Sequence, residues 1–164
     1  MSIVEKLADW SPWVPFEDAL AAASLLPGVY MAREGSDGPV VYVGMAGERP
    51  GGGRPKGLRG RLGVYVTGKG LVSGLGEAVM DRALADAGWL RQRLAEVEAG
   101  SPMRAKEWGR SAFARAGLQL RWAVTADRAT AVALERRIQA VLARSGLWNR
   151  SMPVVFGGAE EAEP

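Results

Sequence analysis

The sequence has no cysteine and no histidine among its 164 residues. The absence of cysteine excludes disulfide frameworks, thiolate metal sites and cysteine nucleophiles. The absence of histidine excludes His-ligated zinc, Ser-His-Asp triads and every mechanism that needs an imidazole base. Any chemistry must therefore use the side chains of Asp, Glu, Lys, Arg, Tyr, Ser or Thr.

The sequence also lacks a long apolar run, since no stretch approaches the roughly 20 residues needed to span a bilayer. The first ten residues carry two acids and one lysine, which is unlike a secretory signal. We therefore expect a soluble cytoplasmic protein that has no membrane partner. A fraction of 48% apolar and 24% charged residues is typical of a globular chain, and the length fits one domain with a single substantial core.

The order of the predicted elements indicates an α+β fold. Three β-branched or alternating segments predict strands at 29–33, 39–44 and 118–125. The first two flank a Gly-Ser-Asp-Gly turn and should form a hairpin. Helical spacing predicts helices at 17–26, 58–66, 77–99, 103–116 and 127–143, the last with Thr125 or Asp127 as its N-cap. We expect a small three-stranded antiparallel sheet flanked by helices.

Four segments describe the expected domain organisation. Residues 1–26 form an N-terminal extension, and residues 27–150 form the domain itself. Within that domain, residues 70–116 form an enlarged helical segment. Residues 151–164 are expected to form a flexible acidic tail, because Glu160, Glu161 and Glu163 lie near its end.

Positive charge is concentrated between Met45 and Gly70, where six bases stand against one acid, a local net charge of +5. The six bases are Arg49, Arg54, Lys56, Arg59, Arg61 and Lys69. Such a segment suits a polyanionic partner, and its glycines would let a phosphate backbone approach closely while the bases release counterions. The alternative interpretation is a well-solvated surface loop.

All three tyrosines, Tyr30, Tyr42 and Tyr65, fall within 36 residues. The predicted hairpin can present Tyr30 and Tyr42 on the same face of the sheet, although simple cross-strand packing is an alternative explanation. Tryptophans 89, 108 and 122 could stack on nucleic-acid bases. Core packing is the interpretation that we favour for these tryptophans.

Glu135 and Arg61 are the charged residues that border buried helix faces. Glu135 lies at the edge of the apolar arc of its helix, whereas Arg136 and its neighbour Arg137 point away from that arc. A carboxylate turned toward a sheet must be paired, hydrogen-bonded or bound to metal, so a metal and a salt bridge both remain open. Arg61 could bind a phosphate through two hydrogen bonds, or it could be a surface arginine with a buried stem.

Together these residues resemble the GIY-YIG nuclease superfamily. Gly28-Val29-Tyr30, followed after eleven residues by Tyr42-Val43-Gly44, is similar to the signature of that family. Leu58-x-x-Arg61-Leu62 matches the family's catalytic arginine at the start of its first helix. Leu134-Glu135 matches its metal-binding glutamate, and Asn149 matches its late asparagine. Tyr65 resembles the third tyrosine of the excision-repair branch, in which a lysine generally stands at the position of Met45.

The resemblance implies an endonuclease that hydrolyses DNA with one Mg²⁺ or Mn²⁺ held by Glu135. Arg61 would bind a non-bridging phosphate oxygen, and Tyr30 or Tyr42 would accept a proton from water. Asn149 would orient Glu135, and Tyr65 would complete the catalytic set. Because only one carboxylate is matched, a single metal is expected. The remaining bases, which are Arg49, Arg54, Lys56, Arg59 and Lys69, would contact nucleic acid.

Two other classes of function remain open at this point. The first is a catalytically inactive nucleic-acid-binding module on the same fold. The second is an unrelated partner-binding protein whose interface is the cluster of Trp10, Trp13 and Phe16. A nuclease subunit directed to its target by a partner protein, or a homodimer, also fits the sequence.

Overall fold

The computed structural model describes residues 3–47 and 56–149. In these residues four strands form one antiparallel sheet, and six α-helices flank it, so the predicted α+β class is confirmed. The strands are β1 (Val14–Pro15), β2 (Gly28–Glu34), β3 (Val40–Ala46) and β4 (Leu118–Val124). The helices are α1 (Ala19–Ala22), α2 (Gly57–Val66), α3 (Leu75–Leu84), α4 (Ala87–Glu98), α5 (Ala105–Ala116) and α6 (Arg128–Val141). Over these ranges no helix is long and apolar enough to cross a membrane.

The sheet has the strand order β1-β4-β2-β3, and β2 pairs antiparallel with both β3 and β4. The predicted hairpin is therefore confirmed, but the predicted number of three strands is wrong for the described residues. The extra strand is β1, which pairs Val14 with Leu120 and Pro15 with Gln119. Two residues, one of them proline, carry no strand periodicity, so the sequence pattern could not predict this strand. The N-terminal extension thus contributes to the sheet.

Two of the predicted helices differ from those observed. The segment 77–99 forms two helices, because the chain breaks at Asp86, whose side chain accepts a hydrogen bond from the backbone N–H of Trp89 and caps α4. The segment 17–26 forms a 3₁₀ turn followed by the four residues of α1. Of the two N-caps predicted for α6, Thr125 and Asp127, the structure has Asp127, whose side chain accepts a hydrogen bond from the backbone N–H of Thr130 at 2.7 Å.

The two faces of the sheet carry separate hydrophobic clusters, as strand alternation requires. One face packs Tyr30 and Leu120 against α1 to α5. The other packs Met31 against α6 and the segment before β1, where Ile138 is completely buried. Full burial of such a side chain contributes about 1.5–3 kcal/mol to the free energy of unfolding.

The three tryptophans considered as base-stacking residues belong to the core. Trp89 and Trp122 are buried, and Trp108 packs edge-on against Trp89 with ring centroids 5.2 Å apart. The core-packing interpretation is therefore confirmed. The predicted acidic tail at 151–164 and the basic residues Arg49 and Arg54 lie outside the described residues.

Candidate active site

Tyr30 and Tyr42 share one face of the sheet, as predicted. The register pairs Tyr30 with Gly44 and Ala32 with Tyr42, so the two tyrosines lie diagonally across the β2–β3 hairpin with ring centroids 6.1 Å apart. Glycine is needed at position 44, because a Cβ there would lie 2.5 Å from the Tyr30 hydroxyl. The backbone of β3 therefore leaves room for the Tyr30 ring.

Tyr65 joins these two tyrosines from α2. The hydroxyls of Tyr30 and Tyr65 are hydrogen-bonded at 3.1 Å, and the backbone N–H of Leu75 donates to the Tyr65 hydroxyl at 3.3 Å. A Cβ on Gly74 would lie 2.7 Å from the Tyr65 hydroxyl and 3.0 Å from the Tyr42 hydroxyl. The three hydroxyls therefore meet at the N-terminus of α3.

Burial controls the protonation of these phenols. Desolvation raises the pKa of Tyr30 well above its ordinary value, the neighbouring Tyr65 and Tyr42 add to that rise, and the positive charge of Arg61 opposes it. Desolvation also raises the pKa of Tyr42, with further increases from Tyr65 and Glu135 and an opposing effect of Arg61. Both phenols are therefore neutral at physiological pH, and Arg61 favours the phenolate form of each.

A cavity of about 690 Å³ lies beside β3, which forms one edge of the sheet in the described residues. Because β3 is at the edge, α3 can approach from one face of the sheet and α6 from the other. The wall includes Tyr42 of β3, Glu77 of α3 and Glu135 of α6, the last half-buried. The remaining lining residues are Gly74, Val132, Arg136, Gln139, Leu147 and Asn149.

The sequence-predicted residues do not all line this cavity. Tyr42, Glu135 and Asn149 line it, whereas Tyr30 and Tyr65 lie behind Tyr42 and are each only 1% exposed. These three lining residues come together although they are far apart in the chain.

Asn149 closes the edge of β3. Its side-chain oxygen accepts a hydrogen bond from the backbone N–H of Val43 at 3.0 Å, and its amide nitrogen donates to the Val43 carbonyl at 2.5 Å. The backbone N–H of Trp148 also donates to the Val41 carbonyl at 2.6 Å. Asn149 therefore forms the hydrogen bonds with β3 that the backbone of a neighbouring strand would form. The family resemblance implied a different role for Asn149, that of orienting Glu135.

Arg61 faces a second, smaller cavity of about 210 Å³. Lys56 and Ala46 also line this space. Since Ala46 ends β3 and Tyr42 lies within it, the two cavities follow one another along the same strand. Arg61 is therefore outside the larger cavity, yet near enough to lower the pKa of Tyr42.

The predicted nucleic-acid contacts have different surroundings. Lys56 and Lys69 are exposed. The Arg59 guanidinium donates to the carbonyls of Ala23 at 2.9 Å and Ala21 at 3.4 Å. Arg59 thus links α2 to the C-terminal end of α1 through hydrogen bonds. A contact between Arg59 and nucleic acid would compete with these hydrogen bonds.

The sequence analysis missed three polar residues of the larger cavity, which are Glu77, Gln139 and Arg136. Glu77 lies in a helix for which no motif was identified. Arg136 was expected to point away from the apolar arc of α6; it is exposed, but it lies on the cavity wall beside Glu135. Glu77 and Glu135 both line the cavity, so it has a second carboxylate that the family resemblance does not match.

The donor set of the larger cavity suits a hard divalent cation. Glu77, Glu135 and Tyr42 line it together with Arg136, and Mg²⁺ prefers one or two carboxylates with water and phosphate oxygens in the other positions. No group of three or more acidic residues within 3–47 and 56–149 forms a full protein cage for a metal. A cation here would therefore depend on few protein ligands.

None of the family models, curated proteins and solved structures compared with the chain matches it. The class of protein must therefore be argued from the fold and the cavity. The fold is an α+β domain, and its β3 edge combines two carboxylates, three adjoining tyrosines and a nearby arginine.

Proposed function

We propose that this protein is a metal-dependent endonuclease of the GIY-YIG type that hydrolyses DNA phosphodiester bonds. One observation carries the proposal: Tyr42 and Glu135 line one cavity and interact electrostatically although they are distant in sequence. The order of Tyr30, Tyr42, Arg61, Glu135 and Asn149 along the chain supports it further. The proposed partner is nucleic acid, most simply DNA.

Hydrolysis of a phosphodiester requires a positioned water, a proton acceptor, and neutralisation of the charge that develops on the phosphate. Glu135 would hold one Mg²⁺ or Mn²⁺. When bound, this cation would supply Lewis-acid neutralisation of the phosphate charge. The carboxylates themselves would also exclude the phosphate from the cavity unless a cation is present, because like charges repel.

Tyr42 is the tyrosine that can meet substrate, since Tyr30 is buried behind it. Its raised pKa means that Tyr42 starts as a neutral phenol, which can donate a hydrogen bond from its hydroxyl. To accept a proton from water it must first lose its own, and nearby positive charge favours that loss. In the described residues Arg61 supplies such a charge.

Arg61 would donate to a non-bridging oxygen of the scissile phosphate, and Lys56 would bind the DNA backbone beside it. Arg61 has the planar fork that forms two hydrogen bonds with a phosphate, and Lys56 lines the same small cavity. Because both cavities follow β3, a phosphodiester chain laid along this strand would pass from Lys56 and Arg61 to Glu135. The scissile phosphate would then lie between the two cavities, within reach of both Arg61 and Glu135.

The test is a cleavage assay on supercoiled, linear, branched and single-stranded DNA with Mg²⁺, Mn²⁺ or EDTA. The expected result is cleavage with either metal and none with EDTA. Glu135→Ala should lower the rate by orders of magnitude while DNA affinity changes little, because affinity comes mainly from lysine and arginine contacts.

Two results would contradict the proposal. Metal-dependent cleavage by Glu135→Ala at the wild-type rate would exclude this cavity as the site. Tight DNA binding by the wild type without cleavage under any metal would favour the inactive binding module instead.

A further inference from the structure

The last three described residues, which we call the edge segment, run along β3. The backbone N–H of Trp148 donates to a carbonyl of β3 at 2.6 Å, and the side chain of Asn149 bonds to both backbone groups of Val43. Leu147 packs against the hydrophobic cluster on the α6 face of the sheet, whereas Trp148 packs against the cluster on the opposite face. The edge segment therefore alternates between the two faces as an outer strand would.

Two residues of the edge segment also belong to the candidate site. Leu147 and Asn149 line the larger cavity, together with Tyr42 of β3 and Glu135 of α6. Trp148 lies between these two lining residues in the chain. A shift of Trp148 would therefore change the shape of the cavity beside the proposed metal ligand.

Trp148 stacks on Arg82 of α3. The central carbon of the Arg82 guanidinium lies 4.1 Å from the centroid of the indole ring, which is within the range of a cation–π contact. Arg82 also donates to the carbonyl of Ala78, one turn earlier in α3, at 3.0 Å. The first turn of α3 is itself fixed, because the backbone N–H of Leu75 donates to the Tyr65 hydroxyl. The stack therefore joins the edge segment to a helix that contacts the tyrosines.

Stabilisation of the fold is the alternative explanation for this stack. The same kind of contact occurs at the β4 edge of the sheet, where the Arg33 guanidinium lies 4.5 Å from the ring centroid of Trp13. The two stacks differ in their neighbours, since Trp13 and Arg33 lie outside the cavity lining, whereas Trp148 is flanked on both sides by residues of that lining. A role in the site is therefore open to Trp148 but not to Trp13.

We propose that Trp148, stacked on Arg82, is a positioning residue for the cleavage reaction. It acts through Asn149, which it holds against β3, and thereby fixes one wall of the cavity that contains Glu135. This inference rests on the proposed function, because it concerns the reaction at that cavity. Neither Trp148 nor Arg82 belongs to the family resemblance, so the two residues add to the site.

The test has two readouts, which are single-turnover cleavage with Mn²⁺ at saturating DNA and amide hydrogen exchange of Val43 without DNA or metal. The variants are Trp148→Ala, Trp148→Phe, which keeps an aromatic face for the cation, and Arg82→Met, which removes the cation and leaves the indole in place. Trp13→Ala is the matched control, because it removes a half-buried indole that stacks on an arginine at the other edge. Melting temperatures give the folded fraction. The amide of Gly44, which pairs with β2, is the internal reference for exchange.

Trp148→Ala should lower the cleavage rate per folded molecule by about 10–100-fold, because a small displacement of the wall misplaces the reacting groups. It should also speed the exchange of Val43 relative to Gly44. Arg82→Met should change both readouts in the same direction, and it decides the question if Trp148→Ala does not fold. Trp148→Phe should restore both readouts, and Trp13→Ala should keep them at the wild-type level.

Three results would overturn the inference. Wild-type exchange of Val43 in Trp148→Ala and Arg82→Met would show that the stack does not hold Asn149. Faster exchange of Val43 with cleavage at the wild-type rate would exclude the positioning role and leave the proposed function intact. A wild type that cleaved no DNA with any metal would overturn the proposed function and the positioning role together.

Discussion

The two edges of the sheet are closed in different ways. At the β4 edge, β1 pairs with the strand, and Ser11 bonds to Trp122 through both its backbone and its hydroxyl. The side chain of Arg121 lies over the rings of Trp10 and Trp13, at 4.9 and 4.6 Å from their centroids. Its guanidinium also pairs with Glu5 at 2.7 Å.

The β3 edge is covered more sparsely. Trp148 and Asn149 satisfy backbone groups of Val41 and Val43, and beside them lies the cavity that contains Glu77 and Glu135. At both edges, other parts of the chain thus bond to backbone N–H and C=O groups that could otherwise pair with a strand of another chain.

The two edges differ in how their charged side chains are buried and paired. At the β4 edge the arginine is buried, stacked and paired, an arrangement that serves stability. At the β3 edge the carboxylates border open space that a cation and a phosphate could enter. Substitutions at the β4 edge should therefore alter stability, whereas those around the β3 cavity should alter catalysis.

The largest expected effect is that of Arg61→Ala. Loss of a donor that acts on the transition state should lower the single-turnover cleavage rate at saturating DNA by about 10²–10³-fold, while the dissociation constant changes far less. Arg33→Ala is the control, because Arg33 stacks on Trp13 and bonds to Gln119 on the opposite side of the sheet. A rate that falls equally in both variants would contradict the assignment of Arg61.

Arg121→Ala should lower the free energy of unfolding by about 2–3 kcal/mol. The substitution removes a buried guanidinium that stacks on two indoles, and with it the ion pair to Glu5. Urea unfolding gives this value, and the cleavage rate per folded molecule should remain at the wild-type level. A variant that remained stable but had lost cleavage would contradict the assignment of stability to the β4 edge and catalysis to the β3 edge.

Asn149→Ala should lower the free energy of unfolding by about 1–2 kcal/mol, because it removes two hydrogen bonds to Val43. Asn149→Asp keeps an acceptor for the Val43 N–H but loses the donor to the Val43 carbonyl. The cleavage rates of the two variants, compared with the wild-type rate at equal folded fraction, then test whether Asn149 orients Glu135. Wild-type rates in both variants would leave Asn149 with a purely structural role.

Arg54→Ala combined with Lys56→Ala should weaken DNA binding and leave the rate at saturating DNA largely intact. Removal of one basic side chain from a phosphate reduces the slope of log affinity against log salt by about 0.9, so the double variant should show a slope about 1.8 units shallower. Lys6→Ala, in the segment before β1, is the control and should keep the wild-type slope. An unchanged slope in the double variant would remove these residues from the DNA interface.

The smallest expected effect concerns acid stability. Hydrogen bonds from the Trp89 backbone and from Arg115 hold the pKa of Asp86 below its ordinary value. A depressed pKa means that the carboxylate stabilises the fold above the ordinary value of 3.8, and that this stability is lost as the pH falls through the lower folded value. Asp86→Asn should therefore flatten the decline of melting temperature below pH 4, whereas Asp37→Asn, at an exposed turn, should not.

Local sequence signals predicted the hairpin and α6 because each carries its own pattern. Tyr30 and Tyr42 lie on β-branched segments around a Gly-rich turn, and Asp127 precedes a helical apolar stripe. The two-residue β1 has no such pattern, because its pairing with β4 depends on tertiary contacts. The sequence analysis predicted one helix across Asp86, although an aspartate in this place is a recognisable N-cap that can mark the start of a new helix.

The candidate site was predicted in part. Tyr42, Glu135 and Asn149 were chosen from a family resemblance, and they line one cavity. Glu77 could not be chosen, because nothing in its neighbourhood distinguishes it from other acids in the first turn of a helix. Its place on the cavity depends on the fit of Gly74 against two tyrosine hydroxyls, which is a property of the folded chain.

The most direct measurement compares single-turnover cleavage by Glu135→Gln and Glu5→Gln with that of the wild type, on the same DNA with Mn²⁺ and at equal folded fraction. Both variants neutralise one glutamate, the first at the β3 cavity and the second beside Arg121 at the β4 edge. We predict that Glu135→Gln loses cleavage by orders of magnitude and that Glu5→Gln keeps the wild-type rate. Equal rates for the two variants would contradict the assignment of the β3 edge as the nuclease site.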